Sequence, residues 1–538
     1  MITSSMASKY LWAKKDQSGK LRWLPLAMHM LDSAAVARLL WRDWIPNGVK
    51  NLIESNLLST TENQGKNTID DDDTERYFVF LAAAHDLGKA TPVFQSKGSY
   101  PRNLLDELLL ERQISSGLPM PSEGEKAFQQ AQHTPHALAT HILLEQAGCN
   151  EQTAVVVGAH HGKPPSTSML VDHGLEFHAM EYHLKKQGKE IWRHIQSSFL
   201  DFILEASGFQ SIQHVFRPKM NIQVLLSGLM IMVDWIASNE NYFPYINLDE
   251  EWSEWLKPEN HKKRSLSGWA DLRLPKYWIP GTNCYGADIF DERFGNLAHR
   301  FSPYSMQKEI SEVACAISEP GIIVIEAPMG SGKSEAALVA AEIFAQKAER
   351  SGIFFALPTQ ATSNGIFPRV SAWAERLDQY GKHSIRLAHG KAQFNKVYQS
   401  IFDGSRNIGS HDANGSGLLV HQWFEGPKKS LLADFVVGTI DQLLMLALKQ
   451  KHVMLRHLGL ANKVVIIDEC HAYDTYMSQY LERALNWLGS YKVPVIVLSA
   501  TLPIQKRQQV VDAYIGKVSA SDACHDAVGW RTKRHYPL

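Results

Sequence analysis

Apolar residues along the first 245 positions recur every three or four residues in several long runs. This spacing places the apolar side chains on one face of a helix. The runs that predict helices are 26–44, 77–84, 136–146, 153–160 and 222–238. The first part of the chain is therefore predicted to be an all-α domain.

After about residue 288 the pattern changes to short runs rich in β-branched residues, separated by helical stretches. The runs that predict strands are 321–325, 353–356, 435–437, 464–467 and 495–498. Strands that alternate with helices form a mostly parallel sheet, and functional loops follow the carboxyl ends of its strands. The second part of the chain is therefore predicted to be an α/β domain.

The length of 538 residues exceeds what one hydrophobic core organises, so the chain is multidomain. We assign 1–245 to the helical domain, 246–287 to a junction, 288–515 to the α/β domain and 516–538 to a tail. The junction is rich in Trp, Pro, Lys and Glu and lacks periodicity. Residues 59–74 are rich in Thr, Asn and Asp, which predicts a solvated, disordered insertion.

Charge and cysteine content narrow the class of protein. With 55 Lys and Arg against 56 Asp and Glu, any nucleic-acid binding must come from local basic tracks. The five cysteines contain no CxxC pair, which argues against disulfides and fits a cytoplasmic protein. The most apolar stretch, 224–236, contains Asp234 and is shorter than the ~20 residues that span a bilayer, so we expect neither export nor membrane insertion.

A set of histidines and aspartates in the helical domain has the composition of a metal site. Neutral imidazoles and carboxylates together suit first-row divalent metals, and two such metals ~3.5–4 Å apart can activate water and stabilise a phosphodiester leaving oxygen. The candidate ligands occupy five predicted helical segments: His29, His85, Asp86, His136, His160, His161 and Asp234. Such ligands converge only in a helical bundle, where they would support metal-assisted hydrolysis.

The individual candidates rest on different observations. Lys89 follows Asp86 by one turn and could reach the scissile phosphate. Asp234 lies in an apolar run, where a carboxylate is costly to bury without a cation. His133 lies one turn from His136 and is an alternative ligand. The assignment of His29 as a ligand rests mainly on its position in the chain.

The segment His85-Asp86-Leu87-Gly88-Lys89, with His136, the pair His160-His161 and 234–238, resembles an HD-type nuclease domain over about the first 245 residues. This resemblance implies that Asp86 bridges two metal ions. It implies one subsite at His29, His85 and Asp234, and a second at His136, His160 and His161. The same ligands accept iron, cobalt, nickel or manganese.

A phosphate-binding loop follows the predicted strand 321–325 and precedes a helical run. Its expected nucleotide contacts are Gly330, Ser331, Gly332, Lys333 and Ser334. Backbone N–H groups would cradle phosphates, Lys333 would neutralise the β- and γ-phosphates, and Ser334 would bind Mg²⁺. After the strand 464–467, Asp468 would hold Mg²⁺ and Glu469 would orient the attacking water. Ala327 replaces the first glycine of the usual loop pattern.

Together with 357–360, 437–439 and 499–501, these motifs resemble the first RecA-like lobe of a superfamily 2 helicase. The resemblance implies that Gln307 contacts adenine and that Thr359 and Thr439 flank a single-strand path. It also implies that Ser499 and Thr501 couple the nucleotide to domain motion. Taken alone, Thr359 or Thr439 is a helix cap or turn residue.

An HD-type domain ahead of such a lobe resembles the type I CRISPR-associated nuclease-helicases over nearly the whole chain. The resemblance implies recruitment by an RNA-guided surveillance complex, ATP-driven 3′-to-5′ movement and metal-dependent degradation of single-stranded DNA. The partners that it implies are that complex, single-stranded DNA and phage-encoded inhibitors.

Only residues 502–538 follow the last helicase motif, too few for a second RecA-like lobe with its arginine finger. Such a finger contributes about 10³ to 10⁵ in rate. We therefore expect weak ATP binding and little hydrolysis unless a separate chain supplies the lobe. Two alternative functions stay open at this point, an HD phosphohydrolase of nucleotides with a regulatory nucleotide-binding domain and a non-catalytic scaffold.

Overall fold

The computed structural model describes residues 8–60, 69–99, 102–121, 134–172, 182–184, 187–281, 286–295, 300–377, 382–407 and 417–517. The chain divides into two compact units. The first consists of Met1–Arg42 and Ile53–Arg273, and the second of Asp43–Leu52 and Leu274–Arg531. Within the predicted junction 246–287, residues up to 273 therefore belong to the first unit and later residues to the second.

Helices dominate the first half of the chain, as the apolar spacing predicts. Its α-helices are α1 (Leu26–Asp43), α2 (Asn47–Glu54), α3 (Asp71–Ala84), α4 (Pro92–Gln95), α5 (Leu104–Ser115), α6 (His136–Gln146), α7 (Glu151–Gly158), α8 (Thr167–Asp172), α9 (Gln187–Ser207), α10 (Met220–Ala237) and α11 (Pro258–Leu272). The five sequence-predicted helices correspond to α1, α3, α6, α7 and α10. The predictions therefore found the helices next to the candidate ligands.

The start of α3 differs from the disordered insertion predicted for 59–74. Asp70 accepts a hydrogen bond from the backbone N–H of Asp73, and the Asp73 side chain accepts one from the backbone N–H of Asp70. This capping box and the acidic first turn stabilise a helix N-terminus. The aspartate run therefore begins a helix, whereas 61–68 lie outside the described residues.

The helix α10 is long and apolar enough to cross a membrane by length and composition, with a mean hydropathy of 1.6. Within the first unit, however, 83% of this window is buried. Its apolar surface therefore packs in the protein core. A buried core helix can thus have the length and hydropathy of a membrane-spanning helix.

The first unit also contains two small antiparallel sheets that the helical pattern did not predict. One has the strand order β1 (Trp12–Lys15), β2 (Arg22–Pro25) and β5 (Ile246–Asn247). The other pairs β3 (Leu57–Leu58) with β4 (Arg217–Pro218). These strands have two to four residues, too few for a period-2 pattern to emerge from the sequence.

A seven-stranded sheet forms the core of the second unit, and all its pairings are parallel. Its strands are β6 (Ile322–Glu326), β7 (Ile353–Leu357), β8 (Lys382–Ala388), β9 (Gly417–Leu419), β10 (Phe435–Thr439), β11 (Val464–Ile467) and β12 (Val495–Ser499). Their order across the sheet is β6-β12-β11-β7-β10-β8-β9. This is the mostly parallel α/β architecture that the sequence predicted, consistent with a RecA-like fold.

Helices precede, connect and follow these strands. They are α12 (Ala287–Phe294), α13 (Ser305–Ala316), α14 (Lys333–Lys347), α15 (Gln360–Ala374), α16 (Lys396–Asn407), α17 (Asp441–Leu444), α18 (Val453–Ala461), α19 (Thr475–Ser490) and α20 (Ile504–Tyr514). Strands β7, β10, β11 and β12 are buried along their whole length, which explains their nearly continuous apolar sequence. Because the strands are parallel, the loops after them lie along one edge of the sheet.

Candidate metal centre and nucleotide site

Helix α3 carries the pair His85-Asp86 into the core of the first unit. Residues 77–84 of this helix are all buried, and His85 is its C-cap. A short 3₁₀ turn, Leu87–Lys89, follows, and the backbone N–H of Lys89 donates to the carbonyl of Asp86. As a result, both side chains are within 1% of full burial.

Asp86 lies at the centre of the predicted ligands. On one side, His29 Nε2 lies 3.0 Å and His85 Nε2 3.3 Å from its Oδ2 atom. On the other side, His136 Nε2 lies 3.2 Å and His160 Nε2 3.8 Å from Oδ1. Each carboxylate oxygen therefore faces a different group of imidazoles, which is the arrangement of a bridging ligand.

Two triads flank this carboxylate. The ligand atoms within each triad lie within 4.8 Å of one another, and the triads are His29, His85 and Asp234, and His136, His160 and His161. The structure thus brings together all seven sequence-predicted ligand residues in the division that the HD-type resemblance implied. His133, the alternative to His136, lies outside the described residues.

The backbone orients two of the imidazoles. His85 Nδ1 donates to the Ala82 carbonyl at 2.7 Å, and His160 Nδ1 donates to the Val157 carbonyl at 2.8 Å. A carbonyl only accepts, so each Nδ1 carries a proton and Nε2 is the ring nitrogen that faces Asp86 and is available to a metal ion. This is how proteins commonly fix the tautomer of a metal-binding histidine.

The buried polar atoms of the cluster fit divalent cations. Among the described residues, His29 Nδ1 and His160 Nε2 are buried without a hydrogen-bond partner, and His29 Nε2, His85 Nε2 and the Asp86 oxygens contact other members of the cluster or Lys89. Buried polar atoms without partners are costly, and a metal ion supplies the missing partner. Nitrogen and carboxylate donors of this kind suit first-row transition metals.

Burial and the nearby carboxylates set the protonation of the imidazoles. Burial lowers the pKa of His29 to about 4 and that of His136 to about 3, so both rings are neutral ligands at neutral pH. Burial also lowers the pKa of His85, but Asp86 and Asp234 outweigh it and raise this pKa to about 9. The same concentration of negative charge that holds a proton on His85 favours a divalent cation.

Lys89 points into the cluster. Its Nζ lies 2.5 Å from Asp86 Oδ2, and the residue is 2% exposed. Burial lowers the pKa of Lys89, whereas the adjacent Asp86 raises it. Lys89 thus balances the charge of Asp86, and its contact with a scissile phosphate stays a prediction.

Thr140 and Gly88 hold the turn that presents Asp86, and the sequence analysis missed them. Thr140 Oγ1 donates to the carbonyl of His85 at 3.0 Å and accepts from the backbone N–H of Gly88 at 2.8 Å. A Cβ atom on Gly88 would come within 2.1 Å of the His136 carbonyl, so only glycine allows this approach. The sequence distance of 52 residues between Gly88 and Thr140 leaves no local signal for this contact.

In the second unit, the phosphate-binding loop follows β6 and ends at the first turn of α14. Gly330 and Gly332 have φ angles of +77° and +80°, and Gly332 is the N-cap of α14. Lys333 Nζ donates to the Ala327 carbonyl at 2.8 Å, and Gln307 Nε2 donates to the Gly332 carbonyl at 3.0 Å. The loop thus has the left-handed glycines and the helix N-terminus that phosphate cradles require.

The acidic motif follows β11 at the same edge of the sheet. Burial and the adjacent Glu469 raise the pKa of Asp468 to about 6, and the Lys333 ammonium opposes this shift. His471 Nδ1 lies 3.2 Å from a carboxylate oxygen of Glu469 and 3.2 Å from Ser499 Oγ, which donates to the Thr501 carbonyl at 2.9 Å. His471 therefore links the acidic motif to the motif after β12, a role that the sequence analysis did not assign.

The two predicted path residues lie at the carboxyl ends of neighbouring strands, β7 and β10. Thr359 follows β7, is exposed and caps α15 through a hydrogen bond from the backbone N–H of Thr362. Thr439 pairs with Leu357 in the sheet and is 7% exposed. Thr359 is thus a helix cap, and contact of either threonine with a nucleic-acid strand stays a prediction.

Family models and known proteins now add to this geometry. Residues 12–243 match the family model for the Cas3 HD domain, and residues 304–510 match that for the DEAD/DEAH box helicases. The chain is 42% identical over 515 residues to a CRISPR-associated nuclease/helicase Cas3 of Streptococcus thermophilus, covering 94% of this chain and 53% of that protein. It is 31% identical to a CRISPR-associated endonuclease/helicase Cas3 of Thermus thermophilus, covering 95% of this chain and 51% of that protein. The chain thus spans about half of the length of the curated relatives that it matches.

Solved structures show the same relationship. The crystal structure of T. fusca Cas3 with AMPPNP matches with a TM-score of 0.71 and 27% identity, covering 95% of this chain and 52% of that one. The structure of a CRISPR RNA-guided surveillance complex before nicking matches with a TM-score of 0.59 and 27% identity, covering 94% of this chain and 49% of that one. The chain therefore contains a Cas3 HD domain followed by a DEAD/DEAH box helicase domain, and it is a homologue of the CRISPR-associated Cas3 nuclease/helicases.

Proposed function

We propose that this chain is a metal-dependent nuclease that cuts single-stranded DNA in CRISPR interference, in the cytoplasm. The observation that carries the proposal is the pair of histidine-rich triads on the two sides of the Asp86 carboxylate. Six candidate ligands around one carboxylate, most of them buried or partly buried, are costly in a purely structural core, because several of their polar atoms lack partners among the described residues.

Divalent ions held by these triads would activate a water molecule and stabilise the leaving oxygen of a phosphodiester. The residues of the chain would supply the rest of the site. Asp86 would bridge the two subsites, and the neutral rings of His29 and His136 would serve as ligands without first losing a proton. Lys89 would offset the charge of Asp86 and favour the approach of an anionic substrate.

We propose that the second unit contributes the first lobe of an ATP-dependent motor that moves 3′ to 5′ on DNA. The loop 327–334, the acidic motif at Asp468 and the motif at Ser499 lie at the same edge of one parallel sheet, which supports a nucleotide site there. Homologous structures carry ATP or AMPPNP in their names. Mg²⁺ would accompany ATP, with Lys333 on the phosphates and Ser334 and Asp468 as its protein ligands.

Recruitment by an RNA-guided surveillance complex is the third part of the proposal. Its support is the match to the surveillance-complex structure, over 94% of this chain. Base pairing by a guide RNA would then select the target, so this chain needs no sequence-reading surface of its own.

Cleavage of circular single-stranded DNA tests the nuclease, because a circle offers no free ends. Metal-depleted protein would receive Mn²⁺, Fe²⁺, Co²⁺ or Ni²⁺ one at a time, without ATP. We expect at least one ion to restore cutting in the wild type, none in Asp86→Ala, and wild-type cutting in Asp201→Ala, which removes an exposed carboxylate from α9. Phosphate release from free nucleotides without DNA cutting would instead identify a nucleotide phosphohydrolase.

A further inference from the structure

Arg264 of α11 forms an ion pair in the core of the first unit with Asp32 of α1. Its Nε donates to the two carboxylate oxygens at 3.1 and 3.2 Å, and its Nη2 donates to Oδ2 at 3.0 Å. His261, one turn earlier on α11, brings its Nε2 within 3.3 Å of Asp32 Oδ1. Asp32 is 0% and Arg264 8% exposed. The two helices are thus joined by a bidentate arginine–carboxylate contact, which fixes their relative orientation.

This ion pair lies one helical turn from a predicted metal ligand. Asp32 follows His29 by three residues on α1, so movement of Asp32 along or around the helix axis moves His29 with it. Among the described residues, His29 Nδ1 has no hydrogen-bond partner, and Nε2 faces the Asp86 carboxylate. His85 and His160, by contrast, are oriented by backbone carbonyls. The position of His29 therefore depends on how α1 itself is held.

Arg264 also lies near the turn that follows the helix of a second ligand of the same triad, Asp234. Its guanidinium lies 5.7 Å from the ring centre of Phe243, which is 1% exposed. Phe243 belongs to the turn after α10, where its backbone N–H donates to the Asn239 carbonyl at 2.8 Å. Asp234, near the end of α10, accepts a hydrogen bond from Ser238 at 2.8 Å. Arg264 thus connects the helix that carries His29 with the turn that follows the helix of Asp234.

The backbone of α11 approaches this turn closely. A Cβ atom on Gly268 would lie 2.4 Å from the carbonyl oxygen of Tyr242, so the glycine permits a direct contact. Arg264 and Gly268 are four residues apart and therefore lie on one face of α11. That face touches α1 through Asp32 and the turn after α10 through Tyr242 and Phe243.

Stability alone is a weak explanation for a buried ion pair. The cost of removing both charges from water is comparable to their attraction, and apolar replacements are often neutral or stabilising. What an arginine fork adds is a fixed geometry, which an apolar contact does not supply. Here the arginine fork would fix the position of α1, which carries His29, relative to the turn after α10, the helix that carries Asp234.

We propose that Asp32 and Arg264 are positioning residues that set the geometry of the His29, His85 and Asp234 subsite and leave the His136, His160 and His161 subsite unaffected. The proposal rests on the metal centre of the proposed function. Neither residue would touch a metal or DNA. Their loss should weaken one of two metal equivalents, by the roughly 10- to 100-fold that supporting contacts of metal ligands typically contribute.

Titration of the metal-free full chain with Co²⁺, followed by its visible absorption and by calorimetry, tests this. The wild type should bind two equivalents, and His29→Ala identifies the equivalent that belongs to the first subsite. In Asp32→Asn and Arg264→Met, that same equivalent should weaken about 10- to 100-fold, with altered absorption, while the other keeps its affinity.

Two further variants separate positioning from stability. The double variant Asp32→Asn with Arg264→Met removes both charges, so it should regain stability over the single variants, yet its first equivalent should stay weak. Arg293→Met removes a comparable buried arginine from the second unit, where its Nε and Nη2 bond Glu342 at 2.9 and 2.7 Å. It should lower stability and leave both Co²⁺ equivalents unchanged.

Three results would overturn the inference. If both Co²⁺ equivalents bound equally more weakly in the single variants, the ion pair would only stabilise the fold in general. If both affinities were unchanged, the ion pair would not influence the metal centre. Recovery of full affinity in the double variant would show that stability alone mattered. A wild type that binds fewer than two equivalents would contradict the two-metal centre itself, and this outcome is recognisable before any variant is compared.

Discussion

The two predicted sites of this chain are built in opposite ways. In the first unit, the candidate ligands come from five helical segments and meet in the interior, with most of their side chains buried. In the second unit, the nucleotide motifs occupy loops along one edge of a parallel sheet, and residues such as Met329 in the phosphate-binding loop are 75% exposed. The metal centre therefore depends on the packing of a whole helical core, whereas the nucleotide site depends on the conformation of a few loops.

Because of this difference, stability and function can be changed independently more easily in the second unit than in the first. In the first unit, most candidate metal ligands are buried around Asp86, so a change there should alter charge, packing and metal binding together. In the second unit, several buried ionisable groups lie away from the nucleotide motifs, among them Lys463 and Arg350, both within 3% of full burial. Substitutions of these groups should change stability and leave nucleotide binding intact.

The largest effect should come from a buried histidine of the metal centre. His160→Ala removes a ligand whose loss costs several kcal/mol of transition-state stabilisation, so DNA cleavage should fall about 1,000-fold or more. His141 is a matched control because it is also buried, at 1% exposure, and lies outside the triads. His141→Ala should change the cleavage rate less than about 10-fold. Cleavage rates are measured on circular single-stranded DNA. If both variants lost activity to a comparable degree, the triad histidines would be no different from other buried histidines.

A charge in the nucleotide loop should have the next largest effect. Lys333→Ala removes the ammonium predicted to contact the phosphates, a charged hydrogen bond of about 1.5–3 kcal/mol, so Mg²⁺-ATP should bind about 10- to 100-fold more weakly. Metal-dependent cleavage without ATP should not depend on this loop. Equilibrium binding of a fluorescent ATP analogue measures the change, and unaltered affinity would remove Lys333 from the site.

A smaller effect should follow from the contact that supports the His85-Asp86 turn. Thr140→Val leaves the N–H of Gly88 and the carbonyl of His85 without their partner, which should lower the free energy of unfolding by about 1–3 kcal/mol and metal affinity by about 10-fold.

The matched control for Thr140 is Thr153. Its hydroxyl donates to the Phe216 carbonyl at 2.8 Å, and this contact involves none of the candidate ligands. Thr153→Val should lower stability to a similar degree and leave metal affinity unchanged. Chemical unfolding together with Mn²⁺ titration distinguishes the two variants. Loss of metal affinity in Thr153→Val would mean that the metal centre responds to any loosening of the core.

The smallest effect concerns a buried charge of the second unit. Burial lowers the pKa of Lys463 from 10.5 to about 8, so between these values the unfolded chain holds a proton that the folded chain has lost. Stability should therefore rise with pH from about 8 to 10.5, and this contribution should vanish in Lys463→Met. At pH 7, the variant should be about 1 kcal/mol more stable, because removal of a buried charge should outweigh the loss of a positive charge near the Asp434 carboxylate. Lower stability of the variant at pH 7 would show that Lys463 is a net stabilising partner.

The sequence predicted the parts of the molecule that repeat a local pattern. The helices next to His29, His85, His136, His160 and Asp234 follow from apolar spacing, and five of the seven strands follow from β-branched runs. The short β9 and the mixed sequence of β8 lack such a pattern, and β1 to β5 have only two to four residues each. The polar composition of the run at Asp70 predicts a loop, although the same aspartates cap a helix.

Contacts between distant positions could not be predicted. Asp32 and Arg264 are 232 residues apart, and Glu326 and Arg507, an ion pair beside the phosphate-binding loop, are 181 residues apart. Nothing in a local window distinguishes a buried arginine with a partner from a solvated one. The ligand set, in contrast, was accessible because a resemblance to an HD-type domain supplied the long-range pairing that periodicity does not.

Anomalous scattering from crystals of the full chain grown with Mn²⁺ or Co²⁺ tests the central claim most directly. We expect two peaks in the first unit, one among His29, His85 and Asp234 and the other among His136, His160 and His161, roughly 3.5–4 Å apart with Asp86 between them. A single peak, or peaks away from Asp86, would contradict a two-metal nuclease centre.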